Sequence, residues 1–266
     1  MAAQIYVPGS VKSTLRKQGI SKKAIQAYFK GPLKQVELGI ILKNVTHKEV
    51  MADYRRFLKE KTLWETKSYL AKHKIVFNGI EKKFQVPREV VASILMIESS
   101  FGKNGGKHLV FSVYASLASL TDKGIRGRVT KEALRNGEDI QSTRFRKRIA
   151  RKAKWGMKEL ICLIRLSEAG KIDPFHLKGS WAGAFGIPQF VPTSFEAYAV
   201  DWDGDGKVNL DELPDAAASA ANYLHKHGWK GKIMRKKALR VIKTYNLSTP
   251  YATTVFKMSE KLKQKK

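Results

Sequence analysis

One acid stands out for where its neighbours would carry it. Glu98 lies near the end of Val86-Pro-Arg-Glu-Val-Val-Ala-Ser-Ile-Leu-Met-Ile-Glu98-Ser-Ser-Phe-Gly102. Pro87 suits the first helical position, where its missing N–H costs nothing, and Gly102 suits the stop. Val91, Ile94 and Leu95 form an apolar stripe at helical spacing, and Glu98 takes the next place on it. A carboxyl group there loses water, which disfavours its charged form. An acid that keeps its proton near neutral pH can protonate a leaving group. The plainer alternative is a helix-end glutamate that reaches solvent, and spacing does not separate the two.

A second group of acids has metal-ligand spacing. In Asp201-Trp-Asp203-Gly-Asp205-Gly206-Lys207-Val-Asn209-Leu-Asp-Glu212, carboxylates at alternate positions converge on one hard cation. Gly206 allows the sharp turn, Lys207 offers its backbone carbonyl, and Glu212 stands where a bidentate ligand closes a calcium loop. A solvated acidic turn is the alternative. Sensors carry paired loops and only this one is present, so it reads as a structural staple for calcium.

The rest of the chain must position these groups. Its 266 residues allow one large domain or two small ones. No apolar run is long enough to span a bilayer, and the N-terminus shows no apolar signal core. Cys162 is the only cysteine, so no intrachain disulfide forms, and Leu160-Ile-Cys-Leu-Ile makes it a small buried apolar group. A formal net charge of +28 suits polyanions: nucleic acid, an anionic membrane face or an acidic wall layer. Much of that charge belongs to solvated faces.

Helical spacing dominates and strand signals are nearly absent, so the fold is expected to be mainly α. Residues 1–45 hold two or three short amphipathic segments. Capping boxes at Thr46-His-Lys-Glu49 and Thr62-Leu-Trp-Glu65 predict helix starts. The second helix is expected to reach about Phe84, burying Trp64, Leu70, Ile75 and Phe84. Residues 121–143, with Gly124, Gly127 and Gly137, read as a loop with one short helix at 130–135. A long helix follows from about Ser142 to Glu168, very basic between Arg144 and Lys154 and apolar from Leu160 to Leu166. Gly179-Ser-Trp-Ala-Gly-Ala-Phe-Gly-Ile-Pro-Gln-Phe190 suggests close backbone packing around a cleft. Small-residue, basic and Pro250-initiated helices complete the chain. Polar groups in tight loops, Ser180 and Gln189 among them, commonly bond the backbone instead of a ligand. Tyr223 could equally be core.

Glu98-Ser-Ser-Phe-Gly, the Gly179–Phe190 stretch, the acidic loop, and Ala221-Asn-Tyr-Leu with His227-Gly-Trp resemble, in order and spacing, the membrane-bound lytic murein transglycosylase B family. The likeness covers residues 84–229 and extends weakly to both ends, including Tyr245-Asn-Leu-Ser-Thr-Pro-Tyr251-Ala. It implies a lysozyme-like α-helical catalytic core with extra N- and C-terminal helices and one EF-hand-like calcium loop. The chain then reads as one catalytic unit: a helical lobe 1–85, a core 86–200, the calcium loop 201–215 and C-terminal helices 216–266. The resemblance makes Glu98 the catalytic acid. It makes Ser180, Gln189, Tyr223, Arg151, Asn246 and Tyr251 substrate-binding, and makes Asp201, Asp203, Asp205, Lys207 and Asp215 the metal set. The family pattern takes its last carboxylate from the position of Asp215, with Glu212 as the alternative. Lys152 stands where the family has a second arginine, keeping charge but losing the bidentate fork. The stretch between Trp229 and Tyr245 is shorter than in most relatives.

The implied activity is cleavage of the β-1,4 bond between N-acetylmuramic acid and N-acetylglucosamine of peptidoglycan, giving 1,6-anhydromuramic ends. Glycosidases normally flank the bond with two carboxylates. Here only Glu98 has a suitable setting, which fits cleavage without water. The implied cofactor is structural Ca2+, with no organic cofactor. The implied partners are peptidoglycan glycan strands, with wall or membrane association through the basic surface, no specific nucleic acid, and a monomeric state. The implied location is the periplasm, the cell envelope or the exterior. Four rivals remain: a hydrolytic lysozyme-like muramidase, a basic nucleic-acid or polyanion binder, a calcium-responsive module, and a catalytically inactive wall-binding scaffold, against which the intact Glu98 speaks.

Overall fold

The computed structural model describes residues 5–47 and 54–264. Among them the chain forms α1 (Gly9–Lys17), α2 (Lys22–Tyr28), α3 (Leu38–Thr46), α4 (Glu60–Lys72), α5 (Lys74–Phe84), α6 (Arg88–Ser99) and α7 (Val110–Ala118). It continues with α8 (Lys123–Arg135), α9 (Thr143–Glu168), α10 (Pro192–Tyr198), α11 (Leu213–Lys226), α12 (Arg235–Tyr245) and α13 (Thr249–Lys263). Two-residue strands β1 (His108–Leu109) and β2 (Lys178–Gly179) pair antiparallel, His108 opposite Gly179. No helix among the described residues is long and apolar enough to cross a membrane.

Contacts divide the chain into two compact units built from separated segments. The first comprises Met1–Lys48, Gly106–Phe185 and Phe190–Glu196. The second comprises Glu49–Gly105, Gly186–Gln189 and Ala197–Lys266.

In the first unit all nine residues of α7 are buried. A helix apolar on every side has no solvent face to keep, so it becomes the centre. The apolar half of α9 lies against it. At Gly156 of α9 a Cβ would stand 2.4 Å from the Leu117 side chain, so glycine permits the approach. Ser142 caps α9 by accepting the Phe145 N–H, and Gly170 follows its end with φ +69°. Cys162 is buried, and its thiol is pushed up to about 12, chiefly by burial and then by Glu196. Residues 121–143 depart from the expected loop, because α8 spans thirteen of them. Asp122 caps it through the N–H groups of Gly124 and Ile125, and Ile125, Val129 and Ala133 are buried at i, i+4 and i+8. One cap and one apolar stripe outweigh the helix cost of Gly124 and Gly127.

In the second unit α6 takes the central place, with nine of its twelve residues buried. The small side chains Ala217, Ala218 and Ala221 of α11 are fully covered, as are Phe77 and Ile80 of α5. Fully burying each such phenylalanine or isoleucine contributes roughly 1.5–3 kcal/mol. The helix bounds differ slightly from expectation: Pro87 is the N-cap, and the helix ends at Ser99, before Gly102. The expected single helix from Thr62 to Phe84 is two helices. α4 begins at Glu60 and breaks at His73, and Thr62 donates its hydroxyl to the Arg56 carbonyl instead of capping. Leu63, Thr66 and Leu70 form the inner face of α4, so Trp64 is 69% exposed, and beyond the break Ile75 is 89% exposed. Both were expected to be buried. Thr46 ends α3 rather than opening a helix, its hydroxyl spent on the Leu42 carbonyl, while Lys48 and Glu49 of that capping box lie outside the described residues.

Candidate active site

Glu98 occupies the last turn of α6, and the chain leaves that helix through a left-handed turn. Ser100 and Phe101 have φ of +51° and +56°, and Gly102 has +91°. Two consecutive non-glycine residues there are strained, at a cost of order 1–3 kcal/mol each. The turn is held at several points. The Phe101 N–H reaches the Leu95 carbonyl at 3.2 Å, the Ser99 hydroxyl accepts the Gly102 N–H, and the same hydroxyl donates to Ile187 O at 2.7 Å. The Phe101 ring stacks on Tyr69 at 3.8 Å.

The Glu98 side chain faces a pocket of about 380 Å³ lined by Tyr54, Arg56, Phe57, Ile97, Asn246 and Tyr251. Among these described lining residues Glu98 is the one carboxylate. The Tyr251 hydroxyl donates to its Oε1 at 2.7 Å. Burial raises the Glu98 pKa to about 7, against a smaller downward pull from that hydrogen bond. The site therefore holds a carboxyl that is half-protonated near neutrality and can give or take a proton.

Tyr251 is 1% exposed and lies in the first turn of α13, whose N-cap is Ser248. Asn246 ends α12, accepts the Ser248 N–H on Oδ1 and so shapes the turn that delivers Tyr251. Burial, and then the charge of Glu98, holds the Tyr245 hydroxyl well above the usual tyrosine range, and it donates to Pro188 O at 2.6 Å. Tyr223 packs edge-on to Tyr245 at 4.8 Å, stacks on His227 at 4.1 Å and donates to Thr244 O. Gln189 sits at φ +51°, its Nε2 donating to Gly186 O at 2.9 Å and Gly105 O at 3.3 Å. Glu98, Asn246 and Tyr251 thus meet in one pocket, with Tyr223 joined to their surroundings through Tyr245.

Ser180 and Arg151 belong to the first unit. The Ser180 hydroxyl accepts the N–H groups of Ala182 and Ala184, the backbone-bonding role anticipated as its alternative. Gly183 in that loop has φ +84°, and a Cβ would meet the Tyr114 ring at 2.5 Å. Arg151 is exposed on α9, while Lys152 donates to Asn44 Oδ1 and lies over the Trp155 ring at 4.5 Å. Sequence reasoning did not assign Tyr54, Arg56 or Tyr245 to the site. Tyr245 directly precedes Asn246 in the motif already noted. Tyr54 and Arg56 lie on a 3-10 turn (Tyr54–Leu58) too short to carry a periodic signal.

In the acidic loop, carboxylate oxygens of Asp201, Asp203 and Asp215 lie within 4.8 Å of one another. Asp215 is 2% exposed and accepts the N–H groups of Trp202 and Asn209, tying both ends of the loop to α11. Asp205 Oδ1 accepts the Lys207 N–H, and Glu212 Oε1 accepts the Asn209 side-chain amide. For Asp203, the Asp205 N–H lowers its pKa, but desolvation and the carboxylates of Asp215, Asp205 and Asp201 together raise it. Crowded carboxylate oxygens that disfavour each other's charge fit a hard cation such as calcium.

The chain matches the family described as the transglycosylase SLT domain over residues 6–238. It is 32% identical over 146 residues to membrane-bound lytic murein transglycosylase B of Escherichia coli (strain K12), covering 55% of this chain and 33% of that protein. The matched region is thus about a third of that relative's length. Soluble lytic transglycosylase SltB1 from Pseudomonas aeruginosa superposes with a TM-score of 0.73 at 24% identity, over 95% of this chain and 96% of that one. SltB3 from the same organism, in complex with NAG-NAM-pentapeptide, gives 0.73 at 20% identity, over 96% and 78%. Slt35 of Escherichia coli in complex with calcium gives 0.71 at 20%, over 95% and 90%. These likenesses establish the lysozyme-like helical fold of lytic transglycosylases, as the sequence resemblance implied. With most of its length matched and a half-buried acid at the end of α6, the chain belongs to the transglycosylase SLT domain family.

Proposed function

We propose that the protein is a lytic transglycosylase that cleaves the β-1,4 bond between N-acetylmuramic acid and N-acetylglucosamine of peptidoglycan. The observation that carries this reading is Glu98: the one carboxyl among the described residues lining its pocket, with a pKa of about 7 and a Tyr251 hydrogen bond. Two flanking carboxylates would suit hydrolysis through a nucleophile or an activated water. One carboxyl that both gives and takes a proton suits intramolecular transfer.

In the first step the protonated Glu98 gives its proton to the glycosidic oxygen. The bond from that oxygen to the muramic C1 breaks, and the electron pair leaves with the N-acetylglucosamine hydroxyl. The N-acetyl group of muramic acid stabilises the positive charge at C1. In the second step the ionised Glu98 takes the proton of the same sugar's C6 hydroxyl. The C6 oxygen bonds to C1 and closes the 1,6-anhydro ring. Glu98 regains its proton and no water is consumed. Tyr251 steadies the ionised form between the steps, because its hydroxyl donates to the carboxylate.

Asn246, Tyr251, Tyr223 and Gln189 of the second unit are assigned to the glycan, and the likeness in sequence assigns it Ser180 and Arg151 as well. Asp201, Asp203 and Asp215, with Asp205 and the Lys207 carbonyl, would hold a structural Ca2+ that pins the loop to α11. The crowding of those carboxylates supports this set, and the engagement of Glu212 by Asn209 favours Asp215 as the closing ligand. The chain acts as one catalytic unit, as a monomer, without an organic cofactor and without specific nucleic acid, in the cell envelope where murein lies. Its net charge of +28 suits a wall polymer rich in carboxylates. Mass spectrometry of digested murein is the test. Anhydro ends are expected as the main product, and hydrated reducing ends would make the protein a hydrolase.

A further inference from the structure

The pocket around Glu98 contains a cation that the reaction just described does not use. Arg56 lies on the 3-10 turn Tyr54–Leu58 and lines the pocket together with Glu98. Its guanidinium rests over the Phe57 ring, 4.7 Å from the centroid. Phe57 is 7% exposed and so provides a fixed shelf. Tyr54 on the same turn meets Tyr251 edge-on at 6.0 Å, and Tyr251 bonds Glu98. The turn carrying the arginine is therefore tied to the residue that holds the acid.

The guanidinium has no carboxylate partner among the described residues. Arg88, Arg135 and Arg148 each lie within reach of a glutamate, whereas Arg56 makes no ion pair with a described residue. Nor does it serve the acid beside it, since the proton affinity of Glu98 follows from burial and the Tyr251 hydroxyl. An arginine with no carboxylate partner among the described residues, steadied by an aromatic ring at the edge of a pocket, offers a planar fork of N–H donors matched to a carboxylate. Peptidoglycan supplies such groups. The muramic sugar bears a lactyl arm that ends in a carboxyl when bare, and the stem peptide carries free carboxyls when the arm is substituted. A neutral β-1,4 glycan of N-acetylglucosamine has the same backbone and neither group.

We propose that Arg56 forms a carboxylate subsite in the Glu98 pocket and makes the site prefer a carboxylated glycan over a neutral one. This rests on the peptidoglycan reading above and adds a residue that selects the substrate. The guanidinium pairs with the lactyl or stem-peptide carboxylate while the sugar backbone lies against the aromatic side chains.

The test is a binding comparison in the full chain carrying Glu98→Gln, so that turnover does not enter. Calorimetry is run with four probes: a chitin oligosaccharide, a peptide-free murein oligosaccharide with its lactyl carboxyl, a peptide-bearing murein fragment, and that fragment amidated at its carboxyls. Carboxylated probes are expected to bind roughly tenfold or more tightly than neutral ones, the scale of one charge-assisted hydrogen-bonded pair. Adding Arg56→Gln should abolish that difference, and Arg56→Lys should restore part of it, since lysine keeps charge without the fork. The peptide-free and amidated probes show whether the lactyl or the peptide carboxyl is read. Equal binding of all four probes, no binding of any, or a preference that survives Arg56→Gln overturns the proposal. Product analysis with unaltered protein is separate: absence of anhydro ends would tell against the reaction, while the binding comparison would still decide Arg56.

Discussion

The Tyr251 hydroxyl lies 2.7 Å from Glu98 Oε1, joining residues 153 positions apart in the chain. The bond favours the ionised carboxylate, while burial favours the protonated acid, and burial dominates. Tyr251→Phe removes only the hydroxyl. The Glu98 pKa should then rise further, by roughly one unit for the loss of a charge-assisted bond. The limb of the pH–rate profile that depends on protonated Glu98 should move to higher pH, and maximal turnover should fall by about tenfold. A profile measured on soluble murein fragments between pH 4 and 9 checks both.

Replacing the acid separates chemistry from folding. Glu98→Gln should lower turnover by at least ~10²-fold, the ordinary contribution of a positioned acid–base group. Its effect on stability follows from linkage. The folded pKa of about 7 lies above the unfolded value of 4.5, so the folded state holds its proton more tightly. Any stability referenced to the protonated acid is present below pH 4.5 and is lost as pH rises towards 7. At pH 8 the ionised, partly desolvated carboxylate costs up to about 3 kcal/mol, which glutamine avoids. The variant should therefore melt higher than the parent at pH 8 and no higher at pH 4, in thermal scans at both values.

The acidic loop should respond to calcium through Asp203 and not through Glu212. Saturating calcium should raise the melting temperature, by an amount corresponding to about 2.7 kcal/mol at a hundredfold excess over Kd. Asp203→Asn removes an exposed member of the carboxylate cluster and should remove that rise while leaving the metal-free melt nearly unchanged. Glu212→Gln should keep it, because Glu212 is engaged with Asn209 outside the cluster. Scanning calorimetry with calcium and with a chelator distinguishes the two variants.

Gly183 has a steric reason to be glycine. With φ +84° and the Tyr114 ring 2.5 Å from a would-be Cβ, Gly183→Ala strains the backbone and displaces a fully buried tyrosine. The Tyr114 hydroxyl also donates to the Gly183 carbonyl at 3.0 Å. A loss of about 2–4 kcal/mol is expected in chemical denaturation, at the high end for a single substitution.

Much of the architecture was legible because it rests on periodicity and caps. α9 starts after Ser142 and ends before Gly170 as its cap and stop signals require. The placement of Glu98 on the apolar face of α6 also follows from spacing, and the structure leaves it half-buried beside a pocket. Only the last turns of α8 were anticipated, as a short helix at 130–135, because Gly124 and Gly127 obscure the start that Asp122 caps. Ile75 was misplaced because a helix break at His73 leaves no mark in the local pattern, and Trp64 because the inner face of α4 runs through Leu63, Thr66 and Leu70. Asn246 and Tyr251 were reached through resemblance alone, since no local rule connects them to an acid so far away in sequence. Arg56 had no signal of its own, because its interest lies in the pocket it shares and the partner it lacks.

Cys162 has a practical consequence of a different kind. A thiol with its pKa near 12, buried in the first unit, has almost no thiolate at neutral pH and little access for a reagent. Maleimide labelling of the native protein should therefore be slow and should proceed only when that unit opens. As the sole cysteine in the chain, it provides a built-in clock: the labelling rate, followed by mass, reports how often α9 comes away from its neighbours without any engineered probe.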